Sequence, residues 1–346
     1  MNYKKDEGLL ILFFCYFNPM SFSTPKRVIA FVLKVAIALI AVWFIIHELR
    51  AKDDSSDLLS DSLFLLEVPQ YSELVLLLFA MLANWGLEAY KWRVLIGSIE
   101  RISMWRSLKA VFSGVTIAFF TPNRVGEYGG RVFHLDKADR IDAVLLTVVG
   151  SYAQLTVTIV AGLIAAMFYL PAHEGLGPIS PIQFEFVRFG VFIICAIMIV
   201  LFLHSRLLTV VLRKLRLPKS VMRHINVFML HSPQSLARVL VASMGRYFIF
   251  TLQFILLLRV FSVEVGYAEA LMMIALTYFV MTGIPTIAIT EMVTRGSVAV
   301  YFLSHISDNV SGIVSASSVL WLINLVIPAL FGVVSIFGLK FFRKVN

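Results

Sequence analysis

Glutamate followed four residues later by arginine occurs twice beside a proline in this chain. Pro122-Asn-Arg-Val-Gly-Glu127-Tyr-Gly-Gly-Arg131 is echoed by Pro285-Thr-Ile-Ala-Ile-Thr-Glu291-Met-Val-Thr-Arg295. Both copies follow apolar runs too short to cross a bilayer, and charge at membrane depth is costly enough that it is kept for a reason. The chemistry such groups offer is anion recognition. Arg131 and Arg295, with Asn123 and Arg124, supply donors of the kind that grip phosphate, arginine in bidentate fashion. Pro122 and Pro285 end an entering helical arm, because proline cannot continue a helix and biases the residue before it toward extended geometry. The returning arm then starts with free N–H groups and a positive dipole end. Gly126, Gly129 and Gly130 allow close approach of backbone to a neighbour or ligand. Thr290 stands in the second copy where Gly126 stands in the first. A plainer reading accompanies this one: Glu127 with Arg131, and Glu291 with Arg295, have the i,i+4 spacing and helically favoured order of pairs that neutralise themselves.

Further polar residues fall inside apolar runs. Asn84, Tyr152, Gln154, Arg246 and Gln253 sit deep enough to line a central cavity, although hydrogen bonding between helices explains the neutral ones as well. Glu88, close to Lys91 and Arg93, reads as an interfacial group whose stem snorkels. Trp85, Trp92 and Trp105 read as belt residues at the membrane–water boundary. No catalytic constellation emerges: there is no H-E-x-x-H among the seven histidines, no Walker motif and no nucleophile elbow. Gly126-Glu-Tyr-Gly-Gly lacks the preceding strand that a nucleotide loop requires. No metal and no cofactor is expected. Of the two cysteines, Cys15 lies near the N-terminus and Cys195 inside an apolar run, so neither suggests a disulfide framework.

The elements that must hold these residues are membrane helices. The 346-residue chain is 59% hydrophobic and 15% charged, against roughly 25% charged in a soluble domain. Continuous apolar runs exclude a β-barrel, whose strands alternate. The net charge of +9 gathers beside the apolar runs and not on a basic domain, so nucleic acid is not an expected partner. Full spans are expected near 28–46, 74–92, 143–170, 187–204, 239–259 and 311–339. Lys26 and Arg27 place the N-terminus in the cytoplasm. The acidic 47–73 loop, with Asp53, Asp54, Asp57, Asp61, Glu67 and Glu73, faces out, and the basic 205–238 loop faces in. Both termini are then cytoplasmic.

Residues 108–136 and 269–305 remain, each with apolar arms of re-entrant length, tolerable only if buried in protein or lining a wet cavity. The expected fold is an all-α polytopic membrane protein: six transmembrane helices plus two re-entrant helical hairpins. Repeat one, 74–170, and repeat two, 239–339, are offset by 163 residues at the prolines and 164 at Glu and Arg. Tyr90 with Gln253, and Ser151 with Ser315, are softer matches. The extra span at 187–204 inverts the second unit relative to the first, the arrangement of transporters with broken helices meeting at the midplane. Residues 1–27 form an N-terminal cytoplasmic extension before the membrane domain at 28–346, and 1–19 is compatible with a mis-assigned start before Met20.

The Pro-x-x-x-Gly-Glu-x-x-x-Arg pattern at Pro122–Arg131, with its degenerate second copy, resembles the lysylphosphatidylglycerol synthase transmembrane family, over about 28–340. This is the flippase-like domain of the bacterial multiple peptide resistance factor. The resemblance implies movement of phospholipid between leaflets of the cytoplasmic (inner) membrane, with Gly126, Glu127, Arg131, Glu291 and Arg295 as functional positions. It also implies membrane lipids with anionic or aminoacylated headgroups as partners. The chain is expected to be a standalone member without the aminoacyl-transferase domain, so the family's name is not read as its activity. A homo-oligomer is compatible with the sequence. The leading expectation is a lipid translocase. The alternatives are an intramembrane lipid-modifying enzyme, with Glu127 as base and His134 nearby, or a non-transporting membrane partner of such an enzyme.

Overall fold

The computed structural model describes residues 71–119, 121, 124–169, 181–204, 224–286 and 288–337. Among these residues every regular element is helical. In chain order they are α1 (Tyr71–Ile96), α2 (Met104–Ala118), α3 (Gly126–Val132), α4 (Arg140–Tyr169) and α5 (Pro181–Leu203). A short 3₁₀ turn, Ile225–Leu230, leads to α6 (Pro233–Val260), α7 (Tyr267–Gly283), α8 (Ala288–Leu303) and α9 (Val310–Trp321), which passes through a π turn, Leu322–Val326, into α10 (Ile327–Ile336).

Five helical stretches, α1, α4, α5, α6 and the joined α9–α10, are long and apolar enough to cross a membrane. They coincide with five of the six expected spans. The sixth, 28–46, and the extension before it lie outside the described residues, as do Cys15, Pro122, Asn123 and residues 205–223 of the basic loop. The two leftover regions are short helix pairs. Helices α2 and α3 have 15 and 7 residues; α7 and α8 have 17 and 16.

Local chemistry sets the boundaries. Ser103 caps α2, its hydroxyl accepting from the Arg106 N–H at 3.2 Å. Ser232 does the same for α6, with Pro233 in the first turn, where its missing N–H costs nothing. Asn309 caps α9 through the Gly312 N–H at 2.9 Å, and its amide donates to the Phe261 and Ser262 carbonyls, tying α9 to the end of α6. The π turn precedes Pro328, which has no N–H to continue the regular ladder, so the helix widens there instead of breaking.

Packing joins the two halves reciprocally. Helix α1 lies along α6, α2 packs on α10, and α7 packs on α4. Small residues permit both of the latter contacts: Gly332 of α10 receives Phe112 and Thr116 of α2, and Gly162 of α4 receives Phe279 of α7. The Thr116 hydroxyl donates across the first contact to the Ala329 carbonyl at 2.7 Å. Helix α5 contributes mainly outward Phe and Ile side chains, such as Phe186, Phe189 and Phe192, as a lipid-facing helix should.

At one end of the bundle Glu100 organises the polar loops. Its carboxylate accepts from the backbone N–H groups of Asp136, Lys137 and Ala138 at 2.7–3.1 Å, and Arg106 lies 3.3 Å away. Partial burial pushes this carboxyl up, but the three N–H donors and Arg106 outweigh it and hold the group below its ordinary range. A depressed folded value stabilises the protein above the ordinary carboxylate range, and that stability is lost as pH falls through the folded value. Glu100→Gln is therefore expected to cost about 1–2 kcal/mol at neutral pH. Thermal unfolding in detergent should show the gap to wild type closing as the medium is acidified below about pH 4. A gap that does not change with pH would count against this role.

Candidate charged cleft and its buried support

Helix α1 carries Asn84, Trp85, Glu88 and Lys91 on the face covered by α6, α3 and α4. Glu88 is 4% exposed and holds three cations: Lys91 Nζ at 2.7 Å, Arg131 Nη1 of α3 at 2.8 Å, and Arg246 Nη1 of α6. This corrects the expectation of interfacial snorkelling. Three elements close over Glu88 and Lys91, the Lys91 stem lying against Gly150 of α4. Arg93 alone of that trio is exposed, and its Nε donates to the Ile102 carbonyl. Two expected belt residues move inward likewise. Trp85 is buried with the Arg246 guanidinium 5.5 Å over its ring, and Trp92 donates to Thr147 at 3.0 Å. Trp105, 64% exposed, fits the belt.

Both i,i+4 pairs form. Arg131 Nη2 donates to Glu127, and Arg295 Nη2 to Glu291 at 2.6 Å. They differ in placement. Arg131 divides its fork between Glu127 and Glu88 and is sealed in protein, whereas Glu291 and Arg295 line a cleft of about 630 Å³. At the start of α3 the Gly126 N–H donates to Thr121 Oγ1 at 2.8 Å, and Gly126 abuts the Ile117 carbonyl. Glycine is needed at 130 for a different contact, since a Cβ there would meet the Gly114 Cα at 2.6 Å where the two arms touch.

The cleft takes Arg124 from the segment between α2 and α3, Pro285 from the segment between α7 and α8, and Asn84, Gln154 and Arg246 from the long helices. Arg124 has left-handed backbone (φ 58°), a conformation a non-glycine side chain rarely holds, and its Nε lies 3.9 Å from Glu127 Oε2. Arg246 donates from Nε to Asn84 Oδ1 at 2.9 Å and from Nη1 to Gln154 Oε1 at 3.5 Å as well as to Glu88. Among the described residues, three arginines against Glu291 leave a net charge of +2 on the walls. Apolar body comes from Tyr247, Phe250 and Tyr278, with Arg295 stacked 5.5 Å over Phe250.

Of the residues read from sequence as cavity candidates, Asn84, Gln154 and Arg246 reach the cleft. Tyr152 and Gln253 do not. Tyr152 packs its ring against Phe202. Gln253 is buried in a polar ladder, accepting from Asn324 Nδ2 at 3.1 Å and donating to the Leu77 carbonyl; Asn84 Nδ2 in turn donates to Asn324 Oδ1. Asn324 sits in the π turn, and no sequence pattern marked it. Thr290, exposed on α8, accepts at its backbone carbonyl from Thr294. His134 is buried with its Nε2 2.8 Å from the Ser113 hydroxyl. Three groups of metal-ligating type, Asp139, Asp142 and His224, converge at the start of α4. His224 Nδ1 lies 2.7 Å from Asp142 Oδ1, and Asp139 Oδ1 accepts from the Ile141 N–H, so these atoms are engaged with one another and with backbone.

A multi-pass helical membrane protein with a basic cleft backed by a buried ion cluster is the class that fold and site define. The chain belongs to the family described as the lysylphosphatidylglycerol synthase TM region, whose sequence profile matches residues 31–332. No curated protein and no solved structure matches it.

Proposed function

We propose that this protein is a translocase that moves a phospholipid or lipid-linked headgroup between the leaflets of the bacterial cytoplasmic membrane, and that it is not itself an enzyme. The observation that carries the reading is the cleft, where Arg124, Arg246 and Arg295 meet between apolar helices opposite one glutamate among the described residues. An electropositive cavity between apolar helices suits a phosphate whose acyl chains stay in lipid.

Family membership supports a lipid-related role. The reciprocal packing of α2 on α10 and of α7 on α4 supports two units, each a span, a re-entrant hairpin and a span, inverted about an axis in the membrane plane. With the expected span at 28–46 this reading has six crossings, both termini cytoplasmic, and hairpin tips that approach from opposite sides. The site residues are then Arg124, Arg246, Glu291 and Arg295 at the headgroup, with Glu127 and Arg131 holding the first hairpin in place.

Reconstitution of the full chain into lipid vesicles tests this reading. Labelled anionic phospholipid is expected to exchange between leaflets faster than in protein-free vesicles, and Arg124→Gln to slow the exchange by roughly tenfold, the loss of one charge-assisted contact. Exchange no faster than in empty vesicles would refute the proposal. Conversion of the lipid by protein in detergent micelles, where no leaflets exist, would favour the enzyme alternative.

A further inference from the structure

We infer that Lys91, sealed beneath the cleft, sets how readily Arg246 turns from Glu88 to a phosphate, and is in that sense a positioning residue of the site. The inference rests on the translocase reading, which makes that phosphate part of a lipid headgroup, aminoacylated or not.

The sequence of α1 lays out the parts. Asn84, Glu88 and Lys91 follow one another at i, i+4 and i+7, so the helix sets them in one stripe. Asn84 and Glu88 both accept from Arg246, the first through Nε at 2.9 Å and the second through Nη1. Lys91 closes the stripe. It is 1% exposed and its stem lies against Gly150 of α4, which places it out of reach of a ligand in the cleft. Its Nζ stands 2.7 Å from Glu88 Oε2, the same oxygen that accepts from Arg246 Nη1. The other oxygen, Oε1, faces Arg131 at 2.8 Å.

Two cations on one carboxylate oxygen have two effects, and both act on Arg246. They repel each other, and inside the bundle that repulsion is weakly screened, so Glu88 holds Arg246 less firmly than it would hold a lone partner. The second effect arises when a phosphate draws Arg246 away. Without Lys91, Glu88 Oε2 would lose the cation it faces and stay buried, a costly condition for a carboxylate. With Lys91 the oxygen keeps an ammonium, placed three residues along the same helix and independent of α6. Arg131 is no substitute, since its fork is already divided between Glu88 and Glu127. Lys91 thus makes the Arg246–Glu88 contact exchangeable without touching whatever Arg246 turns to.

Binding to the full chain in detergent micelles, read by native mass spectrometry, tests this with phosphatidylglycerol and inorganic phosphate as separate probes. Lys91→Met is expected to weaken phosphatidylglycerol binding about fivefold or more in the wild-type background. In an Arg246→Gln background, where Arg124 and Arg295 still hold the probe, the same change should cost less than about twofold. In an Arg124→Gln background the full effect should remain, because Arg124 stands beside Glu127 and not Glu88. Lys91→Gln, which keeps a donor for Oε2 and loses the charge, should show the same dependence on Arg246 and decides the matter if the methionine variant does not fold. Unchanged or tighter binding by the Lys91 variants would overturn the inference. So would an equal loss in the Arg246→Gln background, the pattern of a general loss of field or fold. If the wild type binds inorganic phosphate and not the lipid, and the same cycle holds with phosphate, the translocase reading falls and the role of Lys91 stands. A wild type that binds neither probe would overturn both.

Discussion

Glu88→Ala is expected to destabilise the fold by about 3–5 kcal/mol. The reason is the asymmetry of buried charge. Bringing Lys91, Arg131 and Arg246 out of water is tolerable because one carboxylate touches all three, at 2.7 and 2.8 Å for the first two. Removing it leaves three cations with the half-buried Glu127 as their nearest remaining acid among the described residues, and that carboxylate is already engaged by Arg131. Thermal unfolding of the purified chain in detergent measures the loss. Glu88→Gln should be nearly as damaging, because it keeps the volume and removes only the charge. A double variant, Glu88→Ala with Arg246→Ala, should lose clearly less than the sum of the single variants, since each removal relieves the other. A Glu88→Ala protein within about 1 kcal/mol of wild type would mean that the cluster does not hold α1, α3 and α6 together.

Gly332→Ala is expected to destabilise by about 1–3 kcal/mol or more through overpacking. A methyl group on Gly332 runs into the Phe112 carbonyl and the Thr116 hydroxyl, both fixed on α2. Backbone cannot rotate away as a long side chain can, so α10 must move off α2. The Thr116 hydrogen bond to the Ala329 carbonyl, 2.7 Å, would stretch with it. Gly190→Ala on α5 is the matched control: nothing lies within 4 Å of its added methyl, and stability should hold or rise slightly. Equal behaviour of the two variants would remove the close contact as the explanation.

The proline-flanked Glu–Arg segments were legible because charge is rare in this composition, and their duplication fell on the two short helix pairs, α2–α3 and α7–α8. The i,i+4 pairing was legible too, since helical geometry alone brings Glu127 to Arg131 and Glu291 to Arg295. The division of labour between the copies was not. Whether a pair is sealed or faces a cleft depends on what lies across from it, and for Arg131 that is Glu88, more than forty residues earlier. Glu88 and Lys91 misled because local sequence places them near basic residues at a helix end. Their burial comes from α6 and α3, which no local window contains. Trp85 and Trp92 misled in the same way. Asn324 was silent for another reason: one neutral amide in an apolar helix carries no periodic signal, and its role depends on a π turn that Pro328 makes favourable. Arg124 was read as one donor among several, and its left-handed backbone is a property of the tip that residue type does not announce.

On the proposed translocase reading, Arg246 makes the cleft a place of exchange more than of capture. Its guanidinium is already held by Glu88, Asn84 and Gln154, so an arriving phosphate gains one remaining edge and competes for the rest. Such a ligand is recognised sharply but held loosely, with a short residence time set by how readily Glu88 takes the arginine back. A receptor would suffer from that compromise. For the translocase proposed above, which must let go of whatever it binds, it is an advantage.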